Sequence, residues 1–216
     1  MHDTIIFDFD GTLIDSAPGI LATYAAVLDA AGIKPAVPLD ARLIGPPLQP
    51  TMSKLVGPIE AEKLELLVED FKRLYSDIGV AHTPAYPAAA DALRQLRANG
   101  KTLYLATNKR AQPTLALLEK FGWAPYFHRV YCIDSYQPAF VDKTAMLQQL
   151  LRENELTPER CLYVGDTRGD YISANACRIK FAAALWGYEN WDVYLAENSS
   201  MLEYAIKSLP DMTRYT

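Results

Sequence analysis

Five short, almost wholly apolar runs recur along this chain: Thr4–Phe9 (TIIFDF), Lys101–Ala106, Arg129–Ile133, Cys161–Val164 and Phe181–Leu185. Each is rich in β-branched or aromatic residues and reads as a strand covered on both faces. Stretches with helical spacing of Leu, Met and Ala lie between them: Ala88–Asn99 before Gly100, the run from Pro113 to Phe121, and Thr144–Glu153. Strands of this kind alternating with helices predict an α/β fold. Its core is a doubly wound, Rossmann-like parallel sheet of five or more strands, with the ligand crevice at their carboxyl ends.

One segment breaks the alternation. From about Ser16 to His82 there is helical periodicity and no convincing strand. Ile20–Ala31 and Glu62–Ile78 are amphipathic, and a proline-rich region around Gly45-Pro46-Pro47 and Gly57-Pro58 separates them. The flanks, Asp15-Ser16-Ala17-Pro18 and Thr83-Pro84-Ala85-Tyr86-Pro87, read as stiff connectors. We therefore expect a core domain from residues 1–15 and 84–216 and an inserted all-helical domain from residues 16–83. The alternative is an irregular loop region of the same domain.

Composition narrows the partners. With 216 residues, 50% hydrophobic and 22% charged, the chain can bury a core and is not disordered. A net charge of −5 argues against a basic nucleic-acid surface. No run approaches the roughly 18 apolar residues that a membrane helix needs. The opening MHDTIIFDFDG carries no basic leader, and Cys132, Cys161 and Cys177 form no CxxC pair. Reduced thiols and a cytoplasmic location follow as expectations.

The first strand runs into Asp8-Phe9-Asp10-Gly11-Thr12. Alternation places Asp8 and Asp10 on one side, and at about 5 Å two ionised carboxylates repel by roughly 3 kcal/mol at an effective dielectric near 20. A cation must offset this, or one carboxyl must keep its proton. The Cys161–Val164 strand similarly meets Gly165-Asp166-Thr167-Arg168-Gly169-Asp170. Asp166 and Asp170 could share a hard divalent ion with the first pair, or Asp170 could cap the following helix. Thr107-Asn108 ends a third strand and Lys143 opens a helix, each suited to holding an anion.

The ordered set DFDGT, TN, a lone lysine and GDTRGD resembles the four motifs of the haloacid dehalogenase superfamily, and within it the phosphoglycolate-phosphatase-like phosphatases. LIDSAPGI after the first motif, IGPPL in the insert, YPAAADALRQL after it, TNK, and the late Trp186-Gly187-Tyr188 agree with that branch. The resemblance implies a Mg²⁺-dependent phosphomonoester hydrolase with a helical cap. Asp8 would attack phosphorus and become an aspartyl-phosphate. Asp10 would protonate the leaving alkoxide and later take a proton from the hydrolytic water. Mg²⁺ would be held by Asp8, the Asp10 main-chain carbonyl, Asp166 and waters, with Asp170 ligating or orienting. Thr107, Asn108 and Lys143 would hold the phosphoryl oxygens. The dehalogenase branch lacks the second acid, which Asp10 supplies here.

Two departures bear on this assignment. Lys143 precedes Thr144 where the family commonly has proline, and Lys109 is a competing cation. Arg168 either neutralises the pocket or points to solvent. By the same resemblance, the cap loop Ile44–Gln49 would approach the leaving group. Arg42 and Lys54 beside it could bind an anionic substrate end or lie on a solvated face. The substrate class is a small phosphorylated metabolite: phosphoglycolate, a sugar phosphate or a nucleoside monophosphate. Phosphate transfer between sugar positions, as in phosphoglucomutases, and a non-catalytic binding protein are the competing readings. Monomer and homodimer are both open, and His2, His82 and His128 receive no catalytic role.

Overall fold

The computed structural model describes residues 2–40, 43–44, 47–191 and 204–214. In chain order, β1 (Thr4–Phe7) is followed by helices α1 (Ala17–Ala30), α2 (Leu48–Val56), α3 (Ala61–Leu74) and α4 (Ala89–Ala98). Then come β2 (Thr102–Thr107), α5 (Ala111–Phe121), β3 (Phe127–Cys132) and α6 (Lys143–Glu153). The chain continues through β4 (Cys161–Gly165), α7 (Arg168–Ala176), β5 (Lys180–Ala184) and β6 (Tyr204–Ile206).

The strands form one six-stranded sheet in the order β3-β2-β1-β4-β5-β6, and every pairing is parallel. The doubly wound fold read from the alternation is therefore present. β6 is a strand beyond the five marked by apolar runs, because three residues are too few to show a periodicity. β1 also ends at Phe7, two residues sooner than TIIFDF suggests. The Asp8 N–H still donates to the Val164 carbonyl at 2.8 Å, so Asp8 is fixed against β4 as the chain turns away.

β1 and β4 are buried along their whole length, as strands covered on both faces must be. One core cluster joins Ile6, Tyr104, Tyr131 and Tyr163 of the sheet to Met146, Leu147 and Leu150 of α6. The leucine and methionine spacing that marked this helix in the sequence is the stripe that packs here. Cys132, Cys161 and Cys177 are buried, unpaired thiols. Among the described residues no helix is long and apolar enough to cross a membrane.

The chain divides into two compact units, Met1–Asp15 with Ala85–Thr216, and Ser16–Pro84. The second unit has its own core, in which Tyr24, Met52, Leu55, Leu67, Phe71 and Tyr75 are buried together. The Tyr24 and Phe71 ring centroids lie 4.5 Å apart, and those of Phe71 and Tyr75 5.7 Å. Helix α2 occupies part of what the sequence presents as a proline-rich connection. Pro47 is its N-cap and Pro50 falls in its first turn, where a missing N–H costs no intrahelical hydrogen bond. Lys54 sits exposed in the last turn of α2, whereas Arg42 and the Gly45-Pro46 part of the neighbouring loop lie outside the described residues.

Candidate active site

Strand order sets the position of the site. From β1 the chain builds outward through β2 to β3, then returns to lay β4 on the other side of β1. A sheet opens a crevice at such a reversal, beyond the carboxyl ends of the two adjacent strands. Asp8 follows β1 and Asp166 follows β4, so two acids far apart in sequence face the same crevice.

Asp8, Asp166 and Asp170 are all buried, and each offers a carboxylate oxygen within 4.8 Å of the others. Lys143, at the first position of α6, is the cation among them. Its Nζ lies 2.9 Å from Asp8 Oδ1 and also pairs with Asp170 Oδ1. The Tyr163 ring lies beneath the ammonium, with Nζ 5.7 Å from its centroid. Asp142 caps α6 by accepting the Ala145 N–H at 2.8 Å, which fixes the turn that presents Lys143.

Asp170 has two tasks. The N-cap of α7 is Thr167, and Asp170 is the third residue of the helix, completing a capping box. Its Oδ2 accepts the Thr167 N–H at 3.0 Å and the Thr167 hydroxyl at 2.7 Å, leaving Oδ1 for Lys143. The helix-terminus reading and the acidic-site reading thus describe two oxygens of one carboxylate.

Asp10 stands apart from the trio. Its Oδ1 pairs with Lys109 Nζ at 3.0 Å, and the lysine side chain is only 7% exposed. The two lysines weighed in the sequence therefore serve different acids, Lys143 for Asp8 and Asp170, Lys109 for Asp10. Thr107, at the end of β2, is buried, and its hydroxyl oxygen accepts the Lys109 N–H at 3.1 Å. Asn108 between them is exposed. Arg168 turns outward, and its guanidinium lies 3.9 Å from Glu189 in an exposed pair.

Asp166 is the most enclosed of the acids. Thr12 donates its hydroxyl to Oδ1 at 3.3 Å and the Tyr188 N–H donates to Oδ2 at 2.8 Å. Gly11, at φ +78°, and Gly187 border the carboxylate so closely that a Cβ on either would stand 2.1 Å from an Asp166 atom. Glycine is required at both places because any side chain would occupy the volume of the acid. Sequence reading missed the contacts of Thr12 and Tyr188. Thr12 sits within DFDGT, but nothing local points Tyr188 toward a residue 22 positions earlier.

Burial governs the charge state. The Asp8 carboxyl is pushed up to about 7, first by burial; Lys143 opposes the shift and Asp170 adds to it. Asp166 is raised as well, by burial and then by Asp8 and Asp170. Lys143 is held well above its ordinary value, because its attraction to Asp170 and Asp8 outweighs its own burial. Three ionised carboxylates against one ammonium leave a surplus of two negative charges. At these separations each ionised pair repels by about 3 kcal/mol at an effective dielectric near 20. A divalent cation has the charge to cancel that surplus, and an all-oxygen donor set suits a hard ion. The residues present fit such a cation.

A pH dependence follows for the cation-free chain. In the unfolded chain Asp8 titrates at its ordinary 3.8, whereas in the fold it titrates near 7. Between those values the native state keeps a proton that the unfolded chain has lost, so stability falls as pH rises, and Asp166, raised in the same sense, adds to the fall. Glu153 acts in the opposite sense. Hydrogen bonds from Tyr136, Gln149 and Tyr131 hold its carboxyl at about 2, so its contribution is present above 4.5 and lost as pH falls. Above about pH 5 the Glu153 contribution is constant. Urea midpoints in chelator are therefore expected to drop between about pH 5 and 7, with a shallower drop in Asp8→Asn. An identical profile for the two proteins would contradict this placement of the charge.

A family model described as haloacid dehalogenase-like hydrolase matches residues 5–184. Phosphoglycolate phosphatase 1 of Pseudomonas aeruginosa is 31% identical over 193 residues, covering 86% of this chain and 70% of that protein. Phosphoglycolate phosphatase of Psychrobacter arcticus is 30% identical over 224 residues, covering 95% of this chain and 96% of that protein. Among solved structures, a haloacid dehalogenase-like family hydrolase from Streptococcus pneumoniae superposes with a TM-score of 0.83 at 24% identity, covering 99% of this chain and 98% of that one. That likeness concerns the fold.

Proposed function

The chain belongs to the haloacid dehalogenase-like hydrolases and is a phosphatase of the phosphoglycolate-phosphatase-like type; from that membership we propose a Mg²⁺-dependent phosphomonoester hydrolase working through an aspartyl-phosphate on Asp8. Phosphoglycolate is the first candidate substrate, since the relatives named above are phosphoglycolate phosphatases. The observation that carries the mechanism is a buried carboxylate at the end of β1, paired with Lys143 and grouped with Asp166 and Asp170.

In this reading the ionised Asp8 carboxylate attacks phosphorus while Lys143, Thr107 and the Asn108 N–H hold the phosphoryl oxygens. Asp10, set apart from the acidic trio, would enter this step as the carboxylic acid and give its proton to the departing alkoxide oxygen, leaving the carboxylate that Lys109 pairs with. It then accepts one from the water that attacks the acyl phosphate, which releases inorganic phosphate and restores Asp8. Mg²⁺, held by Asp8, the Asp10 main-chain carbonyl, Asp166 and waters, with Asp170 ligating or orienting, would neutralise charge on the transferring group. By the family resemblance, substrate choice is assigned to the helical residues 16–83.

A panel of phosphomonoesters incubated with Mg²⁺ tests the proposal. Phosphate release is expected to be highest for a small metabolite such as phosphoglycolate, and to stop on chelation with EDTA. Undiminished release in EDTA would remove the metal from the mechanism. Conversion of a sugar 1-phosphate to its 6-phosphate without free phosphate would replace hydrolysis by transfer.

A further inference from the structure

The Trp186-Gly187-Tyr188 turn takes no part in the chemistry above, yet it touches both the acidic site and the connections between the two units. On one side the Tyr188 N–H holds Asp166 Oδ2, while the Trp186 indole N–H donates to the Thr12 carbonyl at 3.0 Å. Thr12 in turn holds the other oxygen of Asp166. On the other side the Tyr188 hydroxyl donates to Asp15 Oδ1 at 2.9 Å, and the side chains of Tyr188 and Tyr86 share a hydrogen bond. Asp15 is the last residue before the chain leaves the sheet unit, and Ala85, next to Tyr86, is the first after it returns. These two segments are tied to each other as well. Ile14 bridges Ala85 in antiparallel fashion, and the Tyr86 N–H donates to the Leu13 carbonyl at 3.0 Å.

We infer that Tyr188 is a positioning residue that couples Asp166 to both connecting segments, so that a divalent cation held at Asp166 stiffens residues 12–15 and 85–86. This rests on the reading of Asp166 as a cation ligand. The backbone N–H and the phenolic hydroxyl belong to one residue, so orienting the first constrains the second. Asp166 is wholly buried, and its carboxylate is oriented by the Thr12 hydroxyl and the Tyr188 N–H. A cation that immobilises this carboxylate immobilises those donors, as the outer partners of metal ligands generally are. The coupling is reciprocal: loosening the connections must weaken the cation by the same factor.

Hydrogen exchange read by mass spectrometry on the full chain, with and without Mn²⁺, tests the coupling. In the wild type, Mn²⁺ is expected to slow exchange across residues 12–15 and 85–86 by about 5- to 10-fold. Tyr188→Phe keeps the N–H on Asp166 and loses the hydroxyl. Its Mn²⁺-dependent protection should fall below about 2-fold, with Mn²⁺ affinity by electron paramagnetic resonance weakened about 2- to 5-fold. Asp15→Ala should behave like Tyr188→Phe, while Asp15→Asn, which retains an acceptor, should behave like the wild type. Equal protection in the wild type and Tyr188→Phe, both binding Mn²⁺, would overturn the coupling and leave the phosphatase reading intact. Loss of protection in Asp15→Asn would overturn the part given to the hydroxyl. A wild type that binds no Mn²⁺ would overturn both this inference and the cation in the proposed mechanism.

Discussion

Asp8→Asn is expected to lower phosphate release by about 10⁴-fold or more, with the fold intact and KM little changed. Asparagine matches aspartate in shape, so the main-chain contact from Asp8 to Val164 survives. Lost is the anionic oxygen that would bond to phosphorus. Its neighbours cannot replace it: Asp166 is enclosed by Gly11, Thr12, Gly187 and Tyr188, and Asp170 is committed to the α7 capping box. A loss of this size is typical when a covalent nucleophile is removed and only binding and charge stabilisation remain. Steady-state phosphate release measures the loss, and mass spectrometry of the acid-quenched wild type should find an added phosphoryl group on the Asp8 peptide. An Asp8→Asn protein that turned over at the wild-type rate would exclude the covalent route.

The second large effect is expected at Lys143. Lys143→Met preserves most of the buried stem volume but removes the ammonium lying 2.9 Å from Asp8 Oδ1 and paired with Asp170. Two consequences should separate. In chelator, the variant should be less stable by about 3 kcal/mol, because breaking a buried ion pair leaves its partner uncompensated. Added divalent cation should recover part of that stability, since it supplies positive charge to the same carboxylates. Turnover should still fall by about 10³-fold with cation present, because the phosphoryl oxygens lose a fixed donor that a cation elsewhere in the site does not replace. Thermal denaturation with and without Mg²⁺, beside the kinetics, separates the two. Full recovery of both by Mg²⁺ would make Lys143 a purely structural counter-ion.

Much of this was legible locally. Strands and helices differ in period, and each period shows within a few residues. TIIF and CLYV could be read as buried strands, and the leucines of α6 as a stripe facing the sheet. The two acidic turns were legible too, because an acid directly after a buried strand lies at the sheet's carboxyl edge. The misses have equally local causes. β6 was too short to carry a period, and Pro47, read as part of a proline-rich separation, is the cap of α2, whose first turn holds Pro50.

The arrangement of charges was not legible in the same way. Lys109 and Lys143 each stand just past a strand or at the head of a helix, and neither neighbourhood says which acid it will meet. That was decided by strand order, which reverses between β1 and β4 and so brings Asp8 beside Asp166 and Asp170, with Lys143 across from them. Asp10, past the end of β1, met Lys109 instead. The contact between Tyr188 and Asp166 has the same origin, a turn after β5 folding back over the end of β4. By itself the sequence determined the alternating α/β frame, the helical interruption and the acids that end two strands, because these follow from periods and turns within one stretch of chain. The tertiary structure alone decided which charges face one another, because ion pairing depends on distances set by strands far apart in sequence.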